Sequence, residues 1–197
     1  MRSKGARAEQ AEATREKLVS VARELFAERG YAQVGTEEIV RAASVTRGAL
    51  YHHFRDKRDL FREVHESLER ELVARIGRAM EQVEDPVELL EEGVRAFLDA
   101  CTEPATIQIG LIDAPTVLGW QEWRAIDARY GLGIVEFGLR NAIDANAMPE
   151  RDVRPLAHLV LAALGEAALL IANADDPEAA RQEVEGPLFA LLEGLLR

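Results

Sequence analysis

Cysteine is almost missing from this sequence: 197 residues contain one, Cys101. A lone cysteine excludes an intrachain disulfide and a cysteine metal cluster, and it suits a reducing compartment. Long apolar runs are scarce as well. The nearest to a membrane span, LVLAALGEAALLIANA over Leu159–Ala174, is interrupted by Glu166 and Asn173, so no membrane partner is expected. The opening residues, MRSKGARAEQAEATREK, lack the apolar core of a secretory signal, which points to the cytoplasm. Alternating β-branched runs are nearly absent, which argues against a sheet. The sequence offers no nucleophile elbow, no phosphate-cradling glycine loop, no paired catalytic carboxylates in a recognisable motif and no zinc spacing. An enzyme and a bound cofactor are therefore not expected. His52 and His53 are adjacent and point in different directions on a helix. His65 and His158 have no ligand-like spacing to them, so no metal is expected.

What is present is a folded, globular composition, 48% hydrophobic and 30% charged, with no low-complexity tract. The net charge of −11 is unevenly spread. Residues 1–60 hold 12 Lys+Arg against 9 Asp+Glu, and residues 61–197 hold 12 against 26. A weakly basic front on a strongly acidic body suggests that only the front meets a polyanion.

Helical periodicity runs through the whole chain and predicts an all-α fold of about nine helices. Arg2, Lys4 and Arg7 read as a flexible basic arm over residues 1–9. A first helix is expected from about Glu12 to Arg29, with Leu18, Val21, Ala22, Leu25 and Phe26 as its apolar stripe and Gly30 as its stop. Thr36 reads as the N-cap of a second helix, followed by a Ser44-Val45 turn. Thr46 caps a third helix, and Val45 is placed to pack on Leu50 across that cap. Asp56 is a cap candidate for a long fourth helix reaching about Val83. Further helices are expected at about Pro86–Cys101, Pro104–Asp113, Trp120–Asn146, Leu156–Ala174 and Glu178–Leu196, with Pro115 disturbing the chain between the second and third of these.

Thr36 to Leu60 is the segment with a definite functional implication. Two short helices joined by so tight a turn must cross steeply, as in a helix-turn-helix DNA reader. Leu50 and Phe54 would be core. Gly48 and Ala49 would keep the outer face of the third helix low, and Thr46, Arg47, Tyr51, His52, His53 and Lys57 would surround it with donors for phosphates and base edges. The stretch GYAQVGTEEIVRAASVTRGALYHHFRDKRDLF resembles the N-terminal domain of the TetR family of one-component transcriptional regulators. The resemblance covers roughly residues 12–65. It implies an all-α homodimer whose recognition helices enter successive major grooves of double-stranded DNA. By the same resemblance Thr36, Thr46, Tyr51, His53 and Lys57 match positions that touch phosphates, and Arg47, Gly48, Ala49 and His52 match the base-facing side. Glu37 departs from the pattern, since some relatives carry a basic residue there. It is read as a helix-dipole residue.

The organisation expected is a DNA-binding domain over residues 1–60 and a helical effector-binding and dimerisation domain over residues 61–197. Phe97, Cys101, Ile107, Leu111, Trp120, Trp123, Ile126 and Tyr130 are candidates for the wall of an apolar cavity, or for ordinary core. Gln108, Asp113, Arg124, Asp127, Arg129 and Glu166 are polar residues that could anchor a ligand or face water. The segments Leu156–Ala174 and Glu178–Leu196 are apolar on most faces, which predicts a homodimer through an intermolecular four-helix bundle. The function expected is a ligand-responsive regulator, a repressor that binds a (pseudo)palindromic operator and leaves it when a small, mainly apolar effector of unknown identity binds. The alternative is a helical adaptor that keeps the fold without reading DNA.

Overall fold

Caps and breakers set most of the helix ends in the structure, a computed structural model that describes the backbone of residues 2–196 and the side chains of residue 6 and residues 8–196. Among the described residues there are nine α-helices, one π-helical segment and no strand. Helix α1 spans Arg2–Gln33 and is broken at Gly30, whose φ of 75° and ψ of 159° only glycine adopts without strain. The expected arm over residues 1–9 is instead helical backbone from Arg2 onward, and the side chains of Arg2, Lys4 and Arg7 lie outside the described residues.

Helix α2 (Thr36–Ala42) starts one residue earlier than expected. Its N-cap is Gly35, and Thr36 is the first helical residue, with no capping role. The turn after α2 is a Schellman closure: the Val45 N–H donates to Val40 O at 3.0 Å and the Ser44 N–H to Arg41 O at 3.1 Å. Ser44 holds the left-handed position, φ 53°, that glycine usually fills. Helix α3 (Arg47–His53) is capped by Thr46, whose hydroxyl accepts from the Ala49 N–H at 3.1 Å. Asp56 caps α4 (Lys57–Met80) by accepting from the Asp59 N–H at 2.7 Å.

Helix α5 (Pro86–Ala100) is capped by Asp85. A π-helical segment, Thr106–Asp113, then runs directly into α6 (Ala114–Val117). Pro115 has no N–H, and in α register its ring would strike the Leu111 carbonyl. The wider π turn ahead of it relieves that clash. Gly119, at φ 83°, turns the chain into α7 (Trp120–Asp144), and α8 (Val153–Ala172) and α9 (Pro177–Leu195) finish the fold.

Leu18, Ala22 and Phe26 of α1, Ile39, Val40 and Ala43 of α2, Leu50 of α3, and Leu60, Phe61 and Val64 of α4 form one core. That core continues without a break into Ile109, Ala114, Leu118, Trp123 and Ile126, so the front of the molecule is welded to the body rather than hung on a linker. The rest of the body packs α8 onto α7 and α9, and α4 onto α5. Helix α8 corrects one expectation: by length and composition, 20 residues containing an 18-residue stretch with a mean hydropathy of 1.9, it is apolar enough to cross a membrane. Here Ala157, Leu161, Leu164, Ala167, Ala168 and Ile171 bury one side of it in the body.

Candidate nucleic-acid interface and effector cavity

The outer surface of α3 is built by the residues beneath it. Leu50 is fully buried and Phe54 nearly so. This fixes the helix rotation and turns Arg47, Gly48, Tyr51 and His52 outward, with Ala49 and His53 half-buried beside them. A side chain added at Gly48 would meet only the Thr46 hydroxyl, at 3.8 Å, so the surface there is open to an approaching backbone. His52 and His53 pack edge to face with centroids 5.2 Å apart. Burial, then the neighbouring His52, lowers the pKa of His53, so it is a neutral donor and acceptor at neutral pH.

Two features of this surface had no signal in the sequence. The Arg47 guanidinium donates to Glu37 Oε1 at 2.6 Å and lies 5.5 Å from the centre of the Tyr51 ring. Glu37 is therefore more than a helix-dipole residue, because it holds Arg47, which the sequence pattern assigns to the base-facing side. Lys57 is turned inward: its Nζ donates to Tyr31 O at 2.5 Å and sits 3.9 Å from the Tyr31 ring centre. Burial lowers the pKa of this ammonium while Asp113 opposes the effect. An ammonium has three donors, so one stays with Tyr31 while others can meet a phosphate.

The front is tied to the body by polar links between residues far apart in sequence. The Tyr31 N–H donates to Asp113 Oδ2 at 2.7 Å, and Gln108 Nε2 donates to the same oxygen at 3.1 Å. Arg58 donates to Val117 O at 3.0 Å, to Leu118 O at 2.9 Å and to Glu122 at 2.6 Å, satisfying the free carbonyls at the end of α6. Gln108 and Asp113, read from sequence as possible ligand anchors, serve this junction.

The body contains a cavity bounded by α4, α5, the π segment, α7, α8 and α9, with about 100 Å³ of it open to the centre of a water molecule. Its wall is mostly aliphatic, including Leu72, Ile76, Val94, Leu161 and Leu164. Of the residues proposed from sequence, Phe97, Cys101, Leu111 and Trp123 line it. Ile107, Trp120, Ile126 and Tyr130 do not. Trp120 is 59% exposed and packs on the outer side of Trp123, and Ile126 belongs to the core shared with the front. The Tyr130 hydroxyl donates to Glu66 at 2.7 Å, away from the cavity. Glu166 is exposed on the outer side of α8. The sequence reading missed Glu69, which lines the cavity together with Asp127. Burial, then Asp127, pushes the Glu69 carboxyl up to about 8. Burial raises Asp127 as well, against the opposing pull of Arg124, whose guanidinium lies 2.6 Å away.

This chain matches two family models. One, described as "Bacterial regulatory proteins, tetR family", covers residues 18–64. The other, "Tetracyclin repressor-like, C-terminal domain", covers residues 87–195. Among curated proteins it is 29% identical over 160 residues to the TetC protein of transposon Tn10 from Escherichia coli, a match covering 81% of each chain. It is 47% identical over 58 residues to the transcriptional regulator AcrR of Shigella flexneri, which spans 29% of this chain and 27% of AcrR. Among solved structures, a TetR-family transcriptional regulator from Pectobacterium atrosepticum superposes with a TM-score of 0.86 at 35% identity, covering 94% of this chain and 95% of that one. With a helix-turn-helix whose outer face is free and a body that encloses a cavity, this chain belongs to the TetR family and is a ligand-responsive, DNA-binding transcriptional regulator.

Proposed function

We propose that the protein is a cytoplasmic repressor that binds a (pseudo)palindromic operator as a homodimer and leaves it when a small effector enters the body cavity. Residues 1–60 act as the reading head and residues 61–197 as the effector-binding and dimerisation unit. Arg47, Gly48, Ala49 and His52 face the bases, and Thr36, Thr46, Tyr51, His53 and Lys57 reach phosphates. Two heads on a two-fold axis fit half-sites about 34–36 Å apart. The dimer forms through α8 and α9. Leu159, Leu170 and Leu191 are 69%, 55% and 63% exposed there, and they need cover that a second copy supplies.

The observation that carries this reading is the shared position of the π segment. Thr106, Gly110 and Leu111 face the cavity, while Asp113 at its end holds the Tyr31 N–H of the head. A ligand that fits better when this segment shifts favours a different head position, and only such a differential preference releases DNA. The test uses duplexes enriched from a randomised pool. An Arg47→Ala, Tyr51→Ala double variant should stay folded and dimeric yet lose retention of the enriched palindrome in a gel shift. Retention equal to that of the unaltered protein sinks the assignment of α3.

A further inference from the structure

Glu69 is the one carboxylate of α4 that points into the cavity. It accepts no hydrogen bond from any described residue, and the one basic side chain within 4.0 Å of it among the described residues, His65, has Nδ1 3.8 Å from Oε1, too far for a hydrogen bond. The side chain keeps 17% of its surface accessible although protein encloses it on nearly every side. That accessible surface opens into the cavity it lines. His65 itself is fully buried, has no partner on either ring nitrogen, and burial lowers its pKa to about 4, so it supplies no positive charge.

The other groups around Glu69 do not neutralise it either. On α7, Asp127 lines the same cavity and is already paired with Arg124. At the end of α5, Cys101 is a thiol whose pKa is raised by burial and then by Glu69. On the π segment, Thr106 contributes a hydroxyl, and the lining residues from α8 and α9 carry no charge. The lining contains no lysine or arginine. An apolar chamber with one unmatched carboxylate has the form of a receptor for an apolar cation.

We propose that the effector is an organic ammonium: an apolar body of on the order of ten non-hydrogen atoms, sized to the void, with one protonated amine that donates to Glu69. This rests on the cavity being the effector site. With the cavity empty, Glu69 retains its proton near neutral pH. When R–NH3⁺ enters, the carboxylic O–H breaks, its proton passes to solvent and the carboxylate accepts from the ammonium N–H. Binding therefore releases close to one proton, which neither a neutral nor an anionic ligand would cause. Leu72, Ile76 and Phe97 on one side and Leu161 and Leu164 on the other would cover the apolar body.

Phenethylamine, phenethyl alcohol and 3-phenylpropionate have nearly the same shape and differ in charge. Titration calorimetry of the full-length protein near pH 7, in buffers of different ionisation enthalpy, should show the amine binding most tightly with release of close to one proton. Glu69→Gln should weaken the amine at least about thirtyfold and abolish the proton release. The same variant should keep its affinity for the alcohol, which shows that the cavity still folds. Alcohol or carboxylate binding as tightly as the amine overturns the ammonium class but leaves the cavity as the effector site. Amine binding that Glu69→Gln leaves unchanged overturns the role of Glu69. Binding of none of the three overturns both the class and the cavity reading.

Discussion

Replacing Asp113 with alanine should loosen the junction between head and body measurably. One carboxylate oxygen accepts from the Tyr31 N–H at 2.7 Å and from Gln108 Nε2 at 3.1 Å. Both contacts are partly buried, so water replaces them incompletely. A hydrogen bond to a charged group contributes about 1.5–3 kcal/mol, and a buried donor left without a partner adds a penalty of its own. The Gln108 contact is the longer and its donor can swing toward solvent, so the Tyr31 N–H dominates and the expected loss is about 2 kcal/mol. For a chain of this size that lowers Tm by roughly 4–8 °C. Asp113→Asn keeps an acceptor but not the charge and should lose about half as much. Thermal unfolding followed by circular dichroism measures both. The alanine variant should also hold its operator while responding less to effector, because the π segment no longer grips the head. A Tm within about 1 °C of the unaltered protein would refute the reasoning.

Glu37→Gln should strengthen operator retention about three- to tenfold at low salt: it frees Arg47 from an exposed pair worth up to about 1 kcal/mol and removes a carboxylate from the DNA-facing side. Equal or weaker retention in a salt-series gel shift counts against it. Ser44→Gly should raise stability by up to about 1 kcal/mol in urea unfolding, because Ser44 sits at φ 53° in the Schellman turn. The pH profile should carry two opposed signatures. His65 refuses in the fold a proton that the unfolded chain accepts below 6.5, so stability falls as pH drops from 6.5 toward about 4. Glu69 keeps in the fold a proton that the unfolded chain releases above 4.5, so stability falls as pH rises from 4.5 to about 8. The raised Asp127 acts in the same direction as Glu69. Between 4.5 and 6.5 His65 and Glu69 oppose one another. From 6.5 to 8 Glu69 acts without that opposition, and Glu69→Gln should remove a decline of about 1.4 kcal/mol per pH unit. A decline that persists in the variant assigns it elsewhere. Gly110→Leu should raise Tm and weaken phenethylamine binding, since a Cβ at Gly110 meets nothing within 4 Å and the longer side chain enters the void.

The helices were legible because their signals are local. Pro86 behind Asp85, Pro177 behind Asp176, Thr46 ahead of Arg47 and Gly30 within α1 each mark an end or a break through their own backbone chemistry. The outward face of α3 was legible for the same reason: the burial of Leu50 and Phe54 sets the rotation of one short helix. Thr36 misled because a threonine ahead of two glutamates suits an N-cap, yet Gly35 adopts the extended capping geometry without a side chain. The π register of Thr106–Asp113 was not legible, since α and π turns share the same apolar spacing over so few residues. The cavity was half legible. Proximity of Trp120 and Trp123 in sequence suggested one shared wall. Three residues apart, they do share a helix side and their rings pack together, but Trp120 lies on the solvent side of that pair and only Trp123 reaches the cavity. Glu69 escaped because a glutamate within a charged heptad of α4 looks solvated until α5, α7 and α8 are packed over it.

The links that join head and body converge on one short stretch. Asp113 holds the end of α1 through Tyr31, and Val117, Leu118 and Glu122 hold Arg58 at the start of α4. Two positive-φ glycines flank these contacts, Gly30 on the head side and Gly119 between α6 and α7. The segments most able to pivot therefore adjoin the most firmly bonded ones. The apolar core is continuous across the same place, from Phe26 and Phe61 into Ile109 and Ala114. A close-packed junction of this kind transmits a shift as a whole, because separating its faces would strip apolar contacts and leave the Tyr31 N–H unpaired. Glu69 lies on α4 three turns beyond Arg58, so a ligand drawn to that carboxylate acts on the same helix that the junction grips. The acidic body suits the proposed arrangement: its charge would repel DNA elsewhere, leaving the proposed α3 face, where helix rotation turns Arg47, Tyr51 and His52 outward together, as the side for DNA to approach.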